Sequence, residues 1–336
     1  MWATAFFLII LLLLFTLATG GSAALNVTAK AVGLGKQTVI YGRSSDSITL
    51  DPAFAQDEES FAVICNIFEG LVRFKPGSTE IEPCLAESWR VLSDGREWVF
   101  NLRKDVRFHD GTPFDSQAVR FSFERQLLPK GQKAAAYAHF IFGVIEEIIT
   151  PDPYTVKFIL KYPYSPFLSC LAVPAAAPIV SPTAAASMGE NFGTKPVGTG
   201  PFTFAGWKKG KYIILKANRD YWGKTPEINT VIFKVIRNSR IRALALITGL
   251  CDVVDGLSPA DAALLEQKSF PVQKRPGLDV SYLGFYTHKE PFNSAALRRA
   301  VAMAVDREHI AGALLGGTAF PANCPLPPGV LGHDPN

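Results

Sequence analysis

Apolar and polar residues follow two different periods along this chain, and the segments that show each period interleave. Apolar positions that recur every three or four residues predict amphipathic helices, whereas strict alternation predicts half-buried strands. The first helical pattern covers residues 59–71. Its apolar positions are Phe61, Ile64, Ile67, Phe68 and Leu71.

Strand patterns occur on both sides of this helix and through most of the remaining chain. Strands are predicted at residues 37–42, 97–102, 106–108, 155–160, 202–205, 212–216, 230–235 and 280–286. Further helices are predicted at residues 116–125, 240–248 and 259–267. Strands and helices that alternate in this way indicate an α/β protein built in layers.

Three polar residues stand directly before helical patterns, where N-caps are expected. Asp115 precedes the helix at 116–125, and Ser294 and Asp306 precede two later helices. Between residues 163 and 186, by contrast, repeated prolines predict a tract that is extended or looped for much of its length. The inward positions predicted for the two later helices are Leu297, Val301, Ala304, Ile310, Leu314 and Leu315.

The N-terminal segment has the composition of a signal peptide. Residues 5–18 are apolar except for Thr16, which suits a signal-peptide core and is shorter than the about 20 residues that span a bilayer. Ser22-Ala23-Ala24 then provides small residues for cleavage, so we expect residues 1–24 to be removed on export. An uncleaved N-terminal anchor is the alternative. Either interpretation places the rest of the chain outside the cytoplasmic membrane, in the periplasm.

Composition excludes several classes of protein. With 48% hydrophobic and 19% charged residues, the chain of 336 residues is a globular protein and not a disordered one. A net charge of +4 without a basic tract predicts no nucleic-acid partner. The five cysteines are widely spaced, so they form no zinc or redox motif. Buried small hydrophobes and one disulfide bond both remain open for them.

Candidate catalytic chemistry is sparse. His109-Asp110 resembles an acid/base pair, but the glycine that follows makes it typical of a turn at the end of a strand. We find no nucleophile motif, no metal-ligand spacing and no phosphate-binding loop. The sequence therefore predicts no catalytic residue, no metal site and no cofactor.

Two further sets of residues have both a structural and a functional interpretation. Tryptophans can stack on a ligand or fill a core, and these are Trp89, Trp98, Trp207 and Trp222. Acidic residues near the first helix form either a solvated loop with a favourable helix N-terminus or a set of acceptors at a cleft. They are Asp46, Asp51, Asp57, Glu58 and Glu59.

Several short motifs, taken in order, resemble one family. They are LDPA at 50–53, FEGLV at 68–72, LAESW at 85–89, SDG at 93–95, LRKDVRFHDGTPF at 102–114, VGTGPF at 197–202, NRDYW at 218–222 and LRRAVAMAVDR at 297–307. Each is weak alone, but the ordered set is similar to the family 5 extracytoplasmic solute-binding proteins of ABC importers, which include dipeptide-, oligopeptide- and nickel-binding proteins.

The resemblance implies an α/β, bilobed fold of the periplasmic-binding-protein type (type II), which closes on its ligand. Residues 37–65 and 195–287 would form the core of lobe I, and residues 66–194 a subdomain inserted into it. Residues 288–336 would begin lobe II. Because family members continue well past the position of Asn336, we interpret the chain as C-terminally truncated, with lobe II largely missing. That interpretation predicts that the product without the signal peptide is marginally stable, exposes apolar surface and binds ligand weakly or not at all.

The function implied by the resemblance is the substrate-binding subunit of a peptide-type ABC transporter. It would capture a small peptide or similar solute and deliver it to permease and ATPase subunits, as a monomer without enzymatic activity. One ligand-binding segment is expected where the first strand ends, because ligand crevices of α/β proteins lie at strand ends. By analogy with the family, a second segment follows Leu171. The residues expected to bind ligand are Arg43, Ser44, Ser45, Asp46, Val173, Pro174, Ala175 and Ala176.

Three other functions remain open. The chain could be a non-functional remnant, or a sensor in which ligand binding drives contact with a partner and no transport. An exported hydrolase that depends on His109 and Asp110 is the third. Uptake measurements separate an importer from a sensor, and turnover separates a hydrolase from both.

Overall fold

The computed structural model describes residues 37–76, 78–127, 138–174, 176–274, 277, 280–328 and 333–334. The predicted signal peptide at 1–24 lies outside these residues. Chain contacts divide the molecule into two compact units. Unit 1 comprises the chain up to Asn238 together with Thr248–Asp255, and unit 2 comprises Ser239–Ile247 and the chain from Gly256 onwards. The predicted lobes and inserted subdomain stay a prediction.

Unit 1 contains two larger β-sheets. The first has five strands in the order β11-β1-β10-β9-β8, with β1 parallel to both its neighbours and the remaining pairs antiparallel. Its strands are β1 (Thr38–Arg43), β8 (Phe202–Lys208), β9 (Tyr212–Ala217), β10 (Thr230–Val235) and β11 (Val253–Val254).

The second sheet is antiparallel, with the order β4-β5-β7-β6, and a short pair, β2 and β3, accompanies it. These strands are β2 (Val72–Phe74), β3 (Ile81–Pro83), β4 (Ala86–Leu92), β5 (Glu97–Leu102), β6 (Ile145–Asp152) and β7 (Thr155–Leu160).

Helices connect and cover the strands. Those of unit 1 are α1 (Glu58–Ile67), α2 (Ser116–Leu127), α3 (Ala138–Ile141), α4 (Phe167–Leu171) and α5 (Pro182–Met188). Those of unit 2 are α6 (Ser239–Ile247), α7 (Pro259–Gln267), α8 (Ala295–Ala304) and the short α9 (Arg307–His309). None of the described helices is both long and apolar enough to cross a membrane.

Two hydrophobic cores stabilise unit 1. The larger core lies on the four-stranded sheet, where Phe123 of α2 meets Phe142 and Phe158 edge-on, with ring centroids 5.0 and 5.1 Å apart. The smaller core lies between α1 and the five-stranded sheet and includes Ile64 and Phe233. Each such fully buried side chain contributes about 1.5–3 kcal/mol of transfer free energy.

The chain passes from one core to the other just after α1. Phe68 packs in the smaller core and Leu71 in the larger core. Helix α1 ends at Ile67 because Phe68 is extended, and the amide of Gly200 donates to the carbonyl of Ile67 at 2.9 Å. A loop around Gly198 thus lies directly against the end of α1.

Several strong periodic segments are confirmed with the predicted bounds. They are β5, β7, β10 and α7. The cap predicted for α2 is confirmed as well, since the Asp115 carboxylate accepts from the amide of Ala118 at 2.9 Å. The short strands β2, β3 and β11, and the longer β4 and β6, were not predicted.

Two predictions near the first helix are wrong. The helix predicted to Leu71 ends at Ile67. The apolar pattern continues past this point because Phe68 and Leu71, in an extended segment, pack in the smaller and the larger core. The strand predicted at 106–108 is only a single bridge between Arg107 and Pro113. Amides of Phe108 and Phe114 donate across this bridge to Thr112 and Val106, and a tight turn closed by the Gly111 amide on the Phe108 carbonyl ends it at once.

The tract at 163–186 is extended or looped for much of its described length, as predicted, and it also holds α4 and α5, the latter with Pro182 at its first turn, where a missing amide costs little. A later prediction is wrong. The buried strand predicted at 280–286 has no strand partner among the described residues. Tyr282 is 87% exposed and Tyr286 77% exposed, so this segment is neither a strand nor buried.

The two late helices have the predicted caps but not the predicted burial. The Ser294 hydroxyl accepts from the amide of Leu297, and the Asp306 carboxylate accepts from that of His309. No residue of α8 is buried. Ile310, Leu314 and Leu315, predicted to point inward, are 39%, 72% and 43% exposed. A cap is a local interaction, whereas burial needs a packing partner that the apolar pattern alone does not supply.

We expect Gly198→Ala to destabilise unit 1 by about 2 kcal/mol or more, in the range of overpacked cores. A Cβ at this position would lie 2.2 Å from the backbone oxygen of Ile67, which cannot move without disturbing the end of α1. Urea unfolding of the variant measures the loss. Gly206→Ala is the matched control, because no atom lies within 4 Å of its Cβ position. Equal midpoints for both variants would contradict the prediction.

Candidate functional site

The first predicted ligand segment surrounds a buried arginine at the carboxyl end of β1. The side chain of Arg43 has no solvent exposure. Its Nη1 donates to the backbone oxygen of Glu59 at 2.7 Å and to Ser47 Oγ at 3.1 Å. Its Nη2 lies 3.2 Å from Asp46 Oδ1, and Nη1 lies 3.6 Å from Glu59 Oε2. Burial lowers the pKa of Arg43, and the charges of Glu59 and Asp46 oppose that shift.

The other members of the segment are tied to the same two carboxylates. Glu59 Oε1 accepts from Ser44 Oγ at 2.9 Å and from the Ser45 amide at 3.1 Å. Asp46 accepts from Trp207 Nε1 at 3.1 Å and from the Gly210 amide at 2.7 Å. The structure therefore brings Arg43, Ser44, Ser45 and Asp46 together in one hydrogen-bonded network.

Solvent reaches only part of this network. Ser45 is exposed, while the Asp46 and Glu59 side chains retain 15% and 16% exposure. Because the guanidinium of Arg43 is fully buried, it holds the carboxylates of Asp46 and Glu59 from the interior of the protein. A bound molecule would meet Ser45 and the outer carboxylate edges. Binding of ligand by these residues stays a prediction.

Lys209 is a neighbour of this network that the sequence did not single out. Its ammonium lies 3.3 Å from the centroid of the Trp207 ring and 3.1 Å from the backbone oxygen of Ile48. Burial lowers the pKa of Lys209, although the charge of Asp46 opposes the shift. The amine therefore covers one face of the Trp207 ring, which supports the structural interpretation of this tryptophan over the stacking one.

The second predicted segment lies against the larger core. Val173 is half-buried there, Pro174 is exposed and Ala176 is buried. The carbonyl of Ala176 accepts from Gln126 Nε2 at 3.3 Å. Ala175 lies outside the described residues. Among the residues that are described, no hydrogen bond or ion pair joins this segment to the network at Arg43.

A second buried charge, at Glu69, was not predicted from the sequence. The residue is 9% exposed, and its carboxylate accepts from Tyr221 Oη at 2.6 Å, Trp222 Nε1 at 2.8 Å and Thr199 Oγ1 at 2.9 Å. Burial raises the pKa of the Glu69 carboxyl, while the three hydrogen bonds act in the opposite direction. The guanidinium of Arg103 lies 4.4 Å above the Trp222 ring. Motifs that are far apart in the sequence thus meet at one carboxylate.

The His109-Asp110 pair has structural partners. His109 Nε2 lies 2.9 Å from the carbonyl of Gly200, and Nδ1 accepts from the Gly198 amide at 3.4 Å. The Asp110 carboxylate accepts from the hydroxyls of Ser181 and Thr112. Burial lowers the pKa of His109. Both residues therefore hold turns in place, as the turn interpretation expected.

Two of the three remaining acidic candidates, Asp51 and Asp57, also have structural partners. Asp51 forms a bidentate ion pair with Arg125, at 2.9 and 2.7 Å, and Asp57 caps α1 by accepting from the Ser60 amide at 2.8 Å. Glu58 is exposed in the first turn of that helix.

Of the tryptophans, Trp98 is buried and Trp89 packs against the larger core.

The described residues contain no grouping of three or more His, Cys, Asp or Glu side chains that could hold a metal ion. The five cysteines, all within those residues, are free thiols. A surface groove of about 570 Å³ lies along α2 and β6, away from every predicted site residue. Its Arg120 is already paired with Glu124 at 2.6 Å.

Comparisons with known proteins agree on one family. Residues 80–336 match the model of the bacterial extracellular solute-binding proteins, family 5 (Middle). The probable D,D-dipeptide-binding periplasmic protein of Escherichia coli (strain K12) is 36% identical over 321 residues, which cover 93% of this chain and 61% of that protein.

Solved structures give the same result. The ABC transporter-associated periplasmic binding protein from Helicobacter pylori, in complex with the peptide STSA, superposes with a TM-score of 0.80 at 35% identity, over 89% of this chain and 62% of that one. A periplasmic binding protein from A. tumefaciens R10, in complex with agropinic acid, gives 0.77 at 34% identity, over 89% and 60%. The predicted fold class is confirmed. The chain spans about three fifths of the length of these relatives.

We expect His109 to make stability depend on pH. Its pKa in the folded chain is lowered below the usual 6.5, so the unfolded chain binds the proton more readily. The stabilising contribution is complete above about pH 6.5 and is lost as the pH falls through that value towards the lower folded pKa. Thermal unfolding at pH 7.5 and pH 5.5 should show a larger drop in Tm for the native chain than for His109→Gln. The exposed His288→Gln serves as control, and parallel curves for all three would refute the assignment.

Proposed function

Because the chain belongs to the bacterial extracellular solute-binding proteins of family 5, as its motifs predicted, we propose that it captures a small peptide or similar solute for an ABC importer. The observation that carries the proposal is the match to binding proteins in sequence and in fold. Capture would occur in the periplasm, and the solute would pass to permease subunits while separate subunits hydrolyse ATP.

The end of β1 supports a polar part of the binding surface. β1 runs parallel to β10 and β11, so the carboxyl ends of these strands lie at the same edge of the sheet. Ligand crevices of α/β folds lie at such edges. Ser45 offers a hydroxyl there, and Asp46 offers a carboxylate edge that suits a ligand ammonium or amide group.

The segment after Leu171 supports an apolar part. Pro174 presents an exposed ring, and Val173 is half-buried beside it. Their short side chains leave space for a larger ligand group. A peptide combines an ammonium and amide groups with apolar side chains, which is the chemistry that these two surfaces favour together.

The geometry argues against the exported hydrolase. A general base must reach a reacting proton, yet both ring nitrogens of His109 have backbone partners and Asp110 is held by two hydroxyls. The family members matched above are binding proteins. We therefore propose that the chain has no catalytic activity of its own.

We expect the chain without its predicted signal peptide, residues 25–336, to bind the peptide STSA weakly in isothermal titration calorimetry. Asp46→Asn should weaken binding about tenfold, because a charge-assisted hydrogen bond to the peptide is lost. Asp105→Asn, which removes an exposed carboxylate elsewhere, is the matched control.

Three results contradict parts of the proposal. Binding of agropinic acid without binding of STSA would refute the peptide class, and binding of neither would refute the capture function. Equal affinity of Asp46→Asn and the native chain would refute the role of Asp46 alone.

Deletion of the gene in its host should abolish uptake of radiolabelled STSA, and a plasmid copy should restore it. An importer subunit is required for each transport cycle, whereas a sensor is not. Normal uptake after deletion, combined with binding of STSA by the purified chain, would favour the sensor. Loss of uptake that Asp46→Asn fails to restore, while Asp105→Asn restores it, would link transport to the proposed surface.

A further inference from the structure

Glu69 stands at the point where the chain leaves one hydrophobic core and enters the other. Phe68 belongs to the smaller core and Leu71 to the larger core, so the carboxylate lies between them. A charge at such a place needs several hydrogen bonds to be tolerated. Its donors come from two distant loops, one carrying Thr199 and the other Tyr221 and Trp222.

These donors hold the carboxylate without a paired cation. Among the described residues, no lysine or arginine forms an ion pair with Glu69. Cys84 Sγ, at 3.8 Å from Oε1, completes the surroundings. In the ionised form both oxygens accept only, and Trp222 can donate only, so this form has one pattern of hydrogen bonding.

The backbone beside this carboxylate supports a different segment. The carbonyl of Glu69 accepts from the Ile179 amide at 2.9 Å. A Cβ on Gly70 would lie 3.3 Å from the carbonyl oxygens of both Leu171 and Ala177. The described residues of the segment 171–179, which include Val173 and Pro174, therefore contact the backbone of residues 69–70, next to the Glu69 side chain and its hydrogen bonds.

We infer that Glu69 is a positioning residue, which holds the segment of residues 171–179 in the conformation that presents Val173 and Pro174. Its side chain anchors residues 69–70 to the two loops, and the backbone of residues 69–70 anchors the segment. The ligand-related part of this inference rests on the proposed function, whereas the anchoring part does not.

Amide hydrogen exchange of the full chain tests the anchoring. In Glu69→Gln an NH₂ group replaces one accepting oxygen. If it faces Trp222, the indole loses its acceptor, and if it faces Tyr221, that hydroxyl must turn round to accept. We expect the amides of Ala177 and Ile179 to exchange at least about tenfold faster. Amides of Ile213 and Phe233 in the five-stranded sheet should keep their rates.

The control is Glu87→Gln, which removes an exposed carboxylate of β4 and should change none of these rates. Tyr221→Phe deletes a single hydroxyl and keeps the charge, so it should show the same local pattern with a smaller acceleration. It also provides the test if Glu69→Gln fails to fold. Unchanged exchange at Ala177 and Ile179, or equal acceleration in both sheets, would overturn the inference.

Affinity for STSA adds a second measurement. If the native chain binds the peptide, both variants should bind it more weakly, and Glu87→Gln should bind it normally. Faster exchange with unchanged affinity would overturn the positioning of a ligand surface and leave the capture function intact. A native chain that binds no peptide would refute the capture function, while the exchange rates still decide the anchoring.

Discussion

A chain that contributes side chains to two hydrophobic cores must pass from one core to the other, and this passage brings polar backbone and side-chain groups into the interior. Here it occurs over residues 68–71, where an apolar pattern continues but the helix stops. The freed carbonyl of Ile67 needs a donor, which a loop without side chains at Gly198 and Gly200 can supply at close range. The carboxylate of Glu69 needs donors too, and it takes them from Thr199 of the same loop and from Tyr221 and Trp222 of a second loop. Three segments of unit 1, at residues 67–69, 198–200 and 221–222, therefore lie together to meet these requirements.

The network at Arg43 shows the same requirement for a positive charge, because a buried guanidinium also needs partners inside the protein. A guanidinium without solvent exposure is balanced by two carboxylates from the next turn and from α1. Because the carboxylates of Asp46 and Glu59 pair with the guanidinium inside the protein, a ligand would contact Ser45 and the outer carboxylate edges and not Arg43 itself. The fully buried arginine thus differs in role from Ser45 and Asp46, although all belong to one short stretch of sequence.

The sequence pattern predicted those features that depend on interactions between close neighbours in the chain. β5, β7, β10 and α7 have clear periods, and the caps at Asp115, Ser294 and Asp306 are interactions between close neighbours. The burial of residues 280–286 and the end of α1 depend on distant chain, so periodicity alone was misleading there. The first ligand segment was predicted as a group, but the enclosure of Arg43 was not, since Glu59 comes from another element. Glu69 gave no local signal, because its donors lie at least 130 positions away. The joint presence of FEGLV, VGTGPF and NRDYW was the available clue.

The shared carboxylate has a consequence for inheritance. Segments 68–71, 197–200 and 218–222 are separated by long stretches of sequence, yet they complete one set of hydrogen bonds. A recombination event between two relatives with a crossover inside either intervening stretch would join halves of this set from different parents. Such a chimera keeps its donors only if both parents carry compatible residues at all three places. Exchange of a stretch that lies wholly between two of these segments leaves the hydrogen bonds intact, so the three segments would pass between lineages as one linked unit.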